Sequence, residues 1–166
     1  MKMVKCHHLR AITFFFVLLL GWHTSAMAQS VTGLQITADA TQSDPVTLEL
    51  ADLDALPQQS FTTSTIWTDG AVTFSGVSLA AVLESIGAKG TAVEMVALND
   101  YKVTMPLAQL EETAPIIATR MDGNVMSVRD KGPYWIVFPY DQDPKYQTET
   151  IYSLSIWQLN RLKVVD

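Results

Sequence analysis

Pro115-Ile-Ile-Ala-Thr-Arg-Met-Asp-Gly-Asn-Val-Met-Ser-Val-Arg-Asp-Lys-Gly-Pro-Tyr-Trp-Ile-Val-Phe-Pro139 is the stretch whose reading decides the fold. It holds three β-rich runs parted by two turn signals, Asp122-Gly123-Asn124 and Asp130-Lys131-Gly132-Pro133. Asp-Gly between apolar runs predicts a tight hairpin, because both central residues of the favoured turn need positive φ. With Asp122 and Gly123 as the turn pair, Arg120 faces Val125, Ala118 faces Ser127 and Ile116 faces Arg129. Strand alternation then sends Ile117, Met121, Met126 and Val128 to the core and leaves Arg120, Ala118, Ser127 and Arg129 on a polar face. The third run, Tyr134 to Phe138, is apolar throughout and reads as buried on both sides.

The rest of the chain alternates similar short elements. Val46 to Leu50 reads as a strand, Ala51 to Leu56 as one or two helical turns halted by Pro57, and Ser60 to Trp67 as a strand. Thr68-Asp69-Gly70 turns the chain into a partner strand, Ala71 to Phe74. Ser78 suits the N-cap of a helix with Leu79, Val82, Leu83 and Ile86 on one face and Gly87 as its C-cap. Val93 to Leu98 and Tyr101 to Met105 read as strands joined at Asn99-Asp100, and Pro106 opens a short helix that turns Leu107 and Leu110 inward. Tyr140 to Thr150 reads as an irregular polar loop, and Leu159 to Val165 as a closing strand. The class is α+β: a strand-rich, mixed or barrel-like sheet with short crossover helices.

Lys2, Lys5 and Arg10, then apolar Ala11 to Trp22, then Ala26-Met27-Ala28, form the three parts of a secretory leader. A run of about 12 mostly apolar residues is too short for a membrane-spanning helix, which needs about 20. The expected organisation is a leader over 1–28, an N-terminal arm or edge strand over 29–45 and one domain over 46–166, periplasmic and with no membrane span after cleavage. All three histidines and the single cysteine lie in the leader, so residues 29–166 contain neither. That excludes His- or Cys-based nucleophile machinery, disulfides and the usual zinc sites. Residues 29–166 carry 8 basic and 17 acidic side chains, a net charge of −9, which excludes nucleic acid as a partner.

Met121-Asp-Gly-Asn124 and Lys131-Gly-Pro-Tyr-Trp-Ile-Val-Phe-Pro139 resemble the sulfite-oxidase-type molybdopterin-binding domain, which has an Asn-Gly turn, then Gly-x-Pro-x-Arg and an apolar run ending in proline. Gly76-Val-Ser-Leu79 resembles that family's Gly-Val-x-Leu helix start. The resemblance implies the family's fold from about Val46 onward, and with it a pocket for molybdopterin. It also implies a metal-binding cysteine near Thr65 and an oxyanion-binding arginine at Trp135. Both groups are missing. A threonine hydroxyl stays protonated where a thiolate does not, and tryptophan brings one donor and no charge. No cofactor is therefore expected, although the family likeness leaves molybdopterin open.

Arg120, Arg129 and Lys131 fall within twelve residues. They read either as an anion site or as turn charges paired with Asp122 and Asp130. Trp67, Trp135 and Trp157 read as core, and the resemblance adds for Trp67 the role of pocket wall. Asn99-Asp100-Tyr101 reads as a hairpin turn and also resembles a family turn before a tyrosine near the cofactor. The candidate site is thus Thr65, Trp67, Asn99, Asp100, Tyr101, Arg120, Arg129, Lys131 and Trp135. The leading expectation is a non-catalytic binding domain for a small anionic or aromatic ligand or a partner protein. Its rivals are a molybdopterin-dependent oxidoreductase subunit without a protein thiolate, and a ligand-free periplasmic input or partner of a membrane signalling protein.

Overall fold

Apolar alternation and turn residues divide the chain into short strands that assemble as two sheets. The computed structural model describes residues 33–39 and 44–166. The expected leader and its cleavage site lie outside the described residues. In the first sheet, β1 (Leu34–Thr37), β2 (Val46–Leu48), β5 (Ala92–Ala97), β6 (Lys102–Pro106) and β10 (Leu159–Val165) lie in the order β2-β1-β10-β5-β6. Leu34, Ile36, Val93, Met95, Leu162 and Val164 are fully or almost fully buried on its inner face. Gln35, Thr37, Glu94, Arg161 and Lys163 turn outward, as strand alternation requires.

The second sheet runs β3 (Gln58–Ser64), β4 (Ala71–Ser78), β7 (Ile116–Met121) and β8 (Asn124–Val125), with β9 (Trp135–Val137) also paired to β7. Beneath the β4–β7 pairing a bulge falls at Gly76, where a Cβ would lie 2.1 Å from the Ile117 carbonyl oxygen. Only glycine fits that approach. Among the described residues the two sheets are joined by an isolated bridge, Tyr134 to Leu159, with the Leu159 N–H donating to the Tyr134 carbonyl at 2.9 Å. Phe74, Val77, Ile116, Ile117, Tyr134, Trp135 and Ile136 belong to one continuous core with the inner face of the first sheet.

Among the described residues three α-helices cross over the sheets: α1 (Leu50–Asp54), α2 (Leu79–Ser85) and α3 (Glu149–Leu154). The expected cap of α2 is present, with the Ser78 hydroxyl accepting from the Ala81 N–H at 3.1 Å and Gly87 following at φ +64. The fold is the strand-rich α+β class expected from the sequence.

Three local expectations need correction. The segment read as an arm or edge strand supplies β1, which is interior, lying between β2 and a parallel β10. Both of its backbone edges are paired, and its apolar Leu34 and Ile36 are fully buried in the core. Tyr140 to Thr150 is not irregular throughout: it contains a 3-10 turn at Pro144–Tyr146, and α3 begins at Glu149 with the Thr148 hydroxyl as cap. The central hairpin also keeps only its first rungs. Arg120 faces Val125 as expected, but Ala118 faces Trp135 and Ile116 faces Val137, not Ser127 and Arg129.

Candidate functional site

The broken hairpin creates the site. After Met126 the chain leaves the sheet into a 3-10 turn, Val128–Asp130, where Val128 is 45% exposed instead of in the core. Ser127 holds this turn: its carbonyl accepts from the Asp130 and Gly132 N–H groups, and its hydroxyl donates to the Asp130 carboxylate at 2.7 Å. Lys131 follows at φ +71, and Gly132 sits where a Cβ would come within 2.0 Å of the Met126 carbonyl oxygen. Pro133 and Tyr134 then lead into β9, which takes the place on β7 that the hairpin's second half would have filled. This excursion lifts Arg129 and Lys131 off the sheet and sets them beside Trp67.

Trp67 follows the end of β3 and is the hub of an aromatic cluster. Its ring meets Trp135 at 5.9 Å, Tyr140 at 6.5 Å, Tyr152 at 5.8 Å and Trp157 at 5.7 Å, all edge to face. That is the arrangement favoured by the ring quadrupole. Trp135 is fully buried, meets Phe74 at 5.3 Å and donates its indole N–H to the Ser155 carbonyl at 3.1 Å. The buried Ser155 hydroxyl accepts from the Tyr140 hydroxyl at 2.7 Å and donates to the Ile151 carbonyl at 2.8 Å. Burial pushes the Tyr140 phenol up to about 12, outweighing the hydrogen bond to Ser155.

Two clefts flank Trp67. The larger, of about 370 Å³, is lined by Trp67, Ala97, Asn99, Tyr101, Tyr152, Ser153, Ser155, Ile156, Trp157 and Gln158. No charged side chain is among them. The second, of about 290 Å³, is lined by Trp67, Thr68, Asp69, Val72, Met121, Arg129, Asp130 and Lys131, two cations balanced by two carboxylates. Arg129 and Lys131 make no ion pair among the described residues, whereas Lys102, Arg120, Lys145 and Arg161 each have a carboxylate partner. The Lys131 ammonium lies 5.6 Å from the Trp135 ring and 5.9 Å from that of Trp157.

Of the residues expected at the site, Trp67, Asn99 and Tyr101 line the larger cleft, while Arg129 and Lys131 line the second. Trp135 lies beneath both as packing. Arg120 lines neither cleft. Its guanidinium forks onto the Asp54 carboxylate at 2.6 and 2.7 Å, and this hydrogen bond holds the Asp54 carboxyl below its usual range. Asp100 is likewise committed to an ion pair with Arg161, at a turn where its φ is +63. The Thr65 hydroxyl closes a local turn, accepting from the Trp67 N–H at 3.0 Å and bonding the Thr68 hydroxyl at 2.9 Å. Tyr152, Ser153, Ser155, Ile156 and Gln158 are lining residues that the sequence reading missed. They come from α3 and the turn after it, whose signal was Thr148 ahead of Ile151 and Leu154 at spacing three.

The fold and its clefts define a small α+β domain with an aromatic cleft that no charged side chain lines. No family model and no curated protein matches the chain. Among solved structures it is similar to the sulfane dehydrogenase SoxCD from Paracoccus pantotrophus, with a TM-score of 0.62, 16% identity and coverage of 84% of this chain. The matched part is 39% of the SoxCD chain, so this chain spans well under half of that protein's length. At such identity the likeness is one of fold. The residues here do not suit a metal held by a protein thiolate: residues 29–166 lack cysteine, and the Thr65 hydroxyl is engaged in its own turn.

Proposed function

We propose that this chain is a non-catalytic binding domain that holds a small ligand against aromatic rings in the cleft beside Trp67. The observation that carries the proposal is the uncharged cleft of about 370 Å³ walled by Trp67, Tyr101, Tyr152 and Trp157. Its size and its mixture of rings with a few polar groups suit a small-molecule site. Tyr101 and Trp157 are 52% and 39% exposed, so part of their ring surface is free for a ligand. Catalysis is disfavoured by the cleft's chemistry. The Ser153 and Ser155 hydroxyls donate to the Thr150 and Ile151 carbonyls, and no carboxylate, lysine or histidine lines the cleft to act as a base. The leader-like first 28 residues support action outside the cytoplasm. Among the described residues no helix is long and apolar enough to cross a membrane.

A second reading, a molybdopterin-dependent oxidoreductase domain, draws on the fold shared with SoxCD. Two measurements separate the readings. Titration with indole, followed by amide chemical shifts, should give saturable changes at Tyr152, Ser153 and Trp157, and Trp157→Ala should weaken them at least about fivefold. Protein made in a host that synthesises the molybdenum cofactor should carry no stoichiometric molybdenum. Near one molybdenum per chain, or indole shifts that never saturate, would overturn the proposal.

A further inference from the structure

The sign of the ligand's charge can be drawn from the same cleft, on the footing of the binding function just proposed. We infer that the Trp67 cleft is a site for an organic cation, a ligand bearing a quaternary or fully methylated ammonium group. Trp67 stands at 90° to Tyr152 and at 67° to Trp157, with centroids 5.8 and 5.7 Å apart. Trp67 is thus steeply inclined to both of these neighbours on the cleft wall, and Tyr101 lines the same cleft. The faces of such rings are electron-rich, and a methylated ammonium within about 6 Å of several of them is attracted to all at once.

Several of the cleft's polar atoms are already engaged within the protein. Asn99 Oδ1 accepts from the Tyr101 N–H, Ser153 donates to Thr150, Ser155 bonds Tyr140 and Ile151, and Gln158 Nε2 donates to Val128. No carboxylate or lysine lines the cleft to pair with a charged guest, so a charge held there must be stabilised by the rings. A quaternary ammonium has no N–H to satisfy.

The cluster already holds an ammonium. Lys131 Nζ lies against Trp135 and Trp157 at 5.6 and 5.9 Å, from the side of the second cleft. The wider field agrees, since residues 29–166 carry a net charge of −9 and draw cations toward the surface. An anionic ligand was expected from three cations. One of these, Arg120, is bound to Asp54, and the other two share their cleft with Asp69 and Asp130.

The test uses three probes of nearly one shape: choline, its neutral carbon analogue 3,3-dimethylbutan-1-ol, and the anion 3,3-dimethylbutanoate. Binding is read by tryptophan fluorescence and amide shifts on the full domain. Choline should bind about tenfold more tightly than the alcohol, with the anion weakest. Lys131→Gln should tighten choline about twofold or more at low salt, because it removes a like charge beside the rings. Equal binding of choline and alcohol, or tighter binding of the anion, would overturn the inference. So would loosening of choline by Lys131→Gln in protein whose circular dichroism is unchanged. If indole binds and none of the three probes does, the cation assignment falls and the binding domain stands. If indole fails as well, both fall.

Discussion

The floor of the cleft rests on one hydroxyl, and removing it should cost more than removing its partner. Ser155→Ala leaves the Tyr140 hydroxyl, in a side chain only 2% exposed, without its acceptor. It also deprives the Ile151 carbonyl of its 2.8 Å donor. An orphaned buried hydroxyl costs about 1–3 kcal/mol, and a lost ordinary hydrogen bond about 0.5–1.5 kcal/mol. Ser155→Ala should therefore destabilise by roughly 2–3 kcal/mol. Tyr140→Phe is nearly isosteric and leaves the Ser155–Ile151 bond in place, so about 0.5–1.5 kcal/mol is expected. In the double variant the orphan disappears. Its cost should not exceed that of Ser155→Ala alone, a coupling of about 1 kcal/mol or more. Urea unfolding of the four proteins, followed by circular dichroism with equal slopes, measures all terms of the cycle. Additivity of the single changes within about 0.5 kcal/mol would refute the picture of one shared polar network under the rings.

Other consequences can be checked on the same preparations. Leu83→Ala, on the inner face of α2, should cost about 2–5 kcal/mol, and a loss below about 0.5 kcal/mol would place that face outside the core. Asp54→Asn should cost about 0.5–1 kcal/mol near neutral pH, since its fork with Arg120 is partly exposed. The folded carboxyl is held low, so this stabilisation is present above the ordinary carboxylate range and is lost as pH falls through the folded value. Unfolding titrations at descending pH should show wild type and variant converging in acid. Tyr140 behaves in the opposite sense. Its phenol is raised from about 10 to about 12, so the unfolded chain ionises first and stability should fall as pH rises between these values. The loss from Tyr140 is on the order of 2–3 kcal/mol, and Tyr140→Phe should make that part of the profile shallower, with Tyr134, also raised by burial to about 12, carrying what remains.

What could be read from the sequence was what neighbouring residues settle among themselves. Ser78 as cap, the Asn99-Asp100 turn and the strand Leu159–Val165 each follow from a few adjacent side chains, and each is present. The first rung of the central hairpin, Arg120 to Val125, likewise follows from Asp122-Gly123. The next rungs depend on a competition that local pattern does not reveal. Trp135 to Val137 is wholly apolar and buries more on β7 than Ser127 and Arg129 could, so β9 takes those positions and the intervening loop is expelled. The fate of Arg120 was hidden for a similar reason, because its partner Asp54 lies 66 residues away. The family likeness pointed to Trp67 as a pocket wall beside its reading as core, and its ring lines both clefts. Tyr152, Ser155 and Gln158 were not recognisable, since α3 offered only one turn of apolar spacing within a polar stretch.

The place of β10 governs the order in which this molecule can be built. That strand follows every other one along the chain, yet it lies at the middle of its sheet, parallel to β1 on one side and antiparallel to β5 on the other. Until Leu159–Val165 is available, the β2–β1 and β5–β6 hairpins have no common neighbour and their apolar faces stay open. That sheet must therefore wait for β10, with closure delayed by the long stretch of chain between β1 and β10. A ribosome making this polypeptide delivers an unfinished sheet until Leu159–Val165 has emerged, and a stop at Gln158 would leave two separated ribbons in place of a shortened protein.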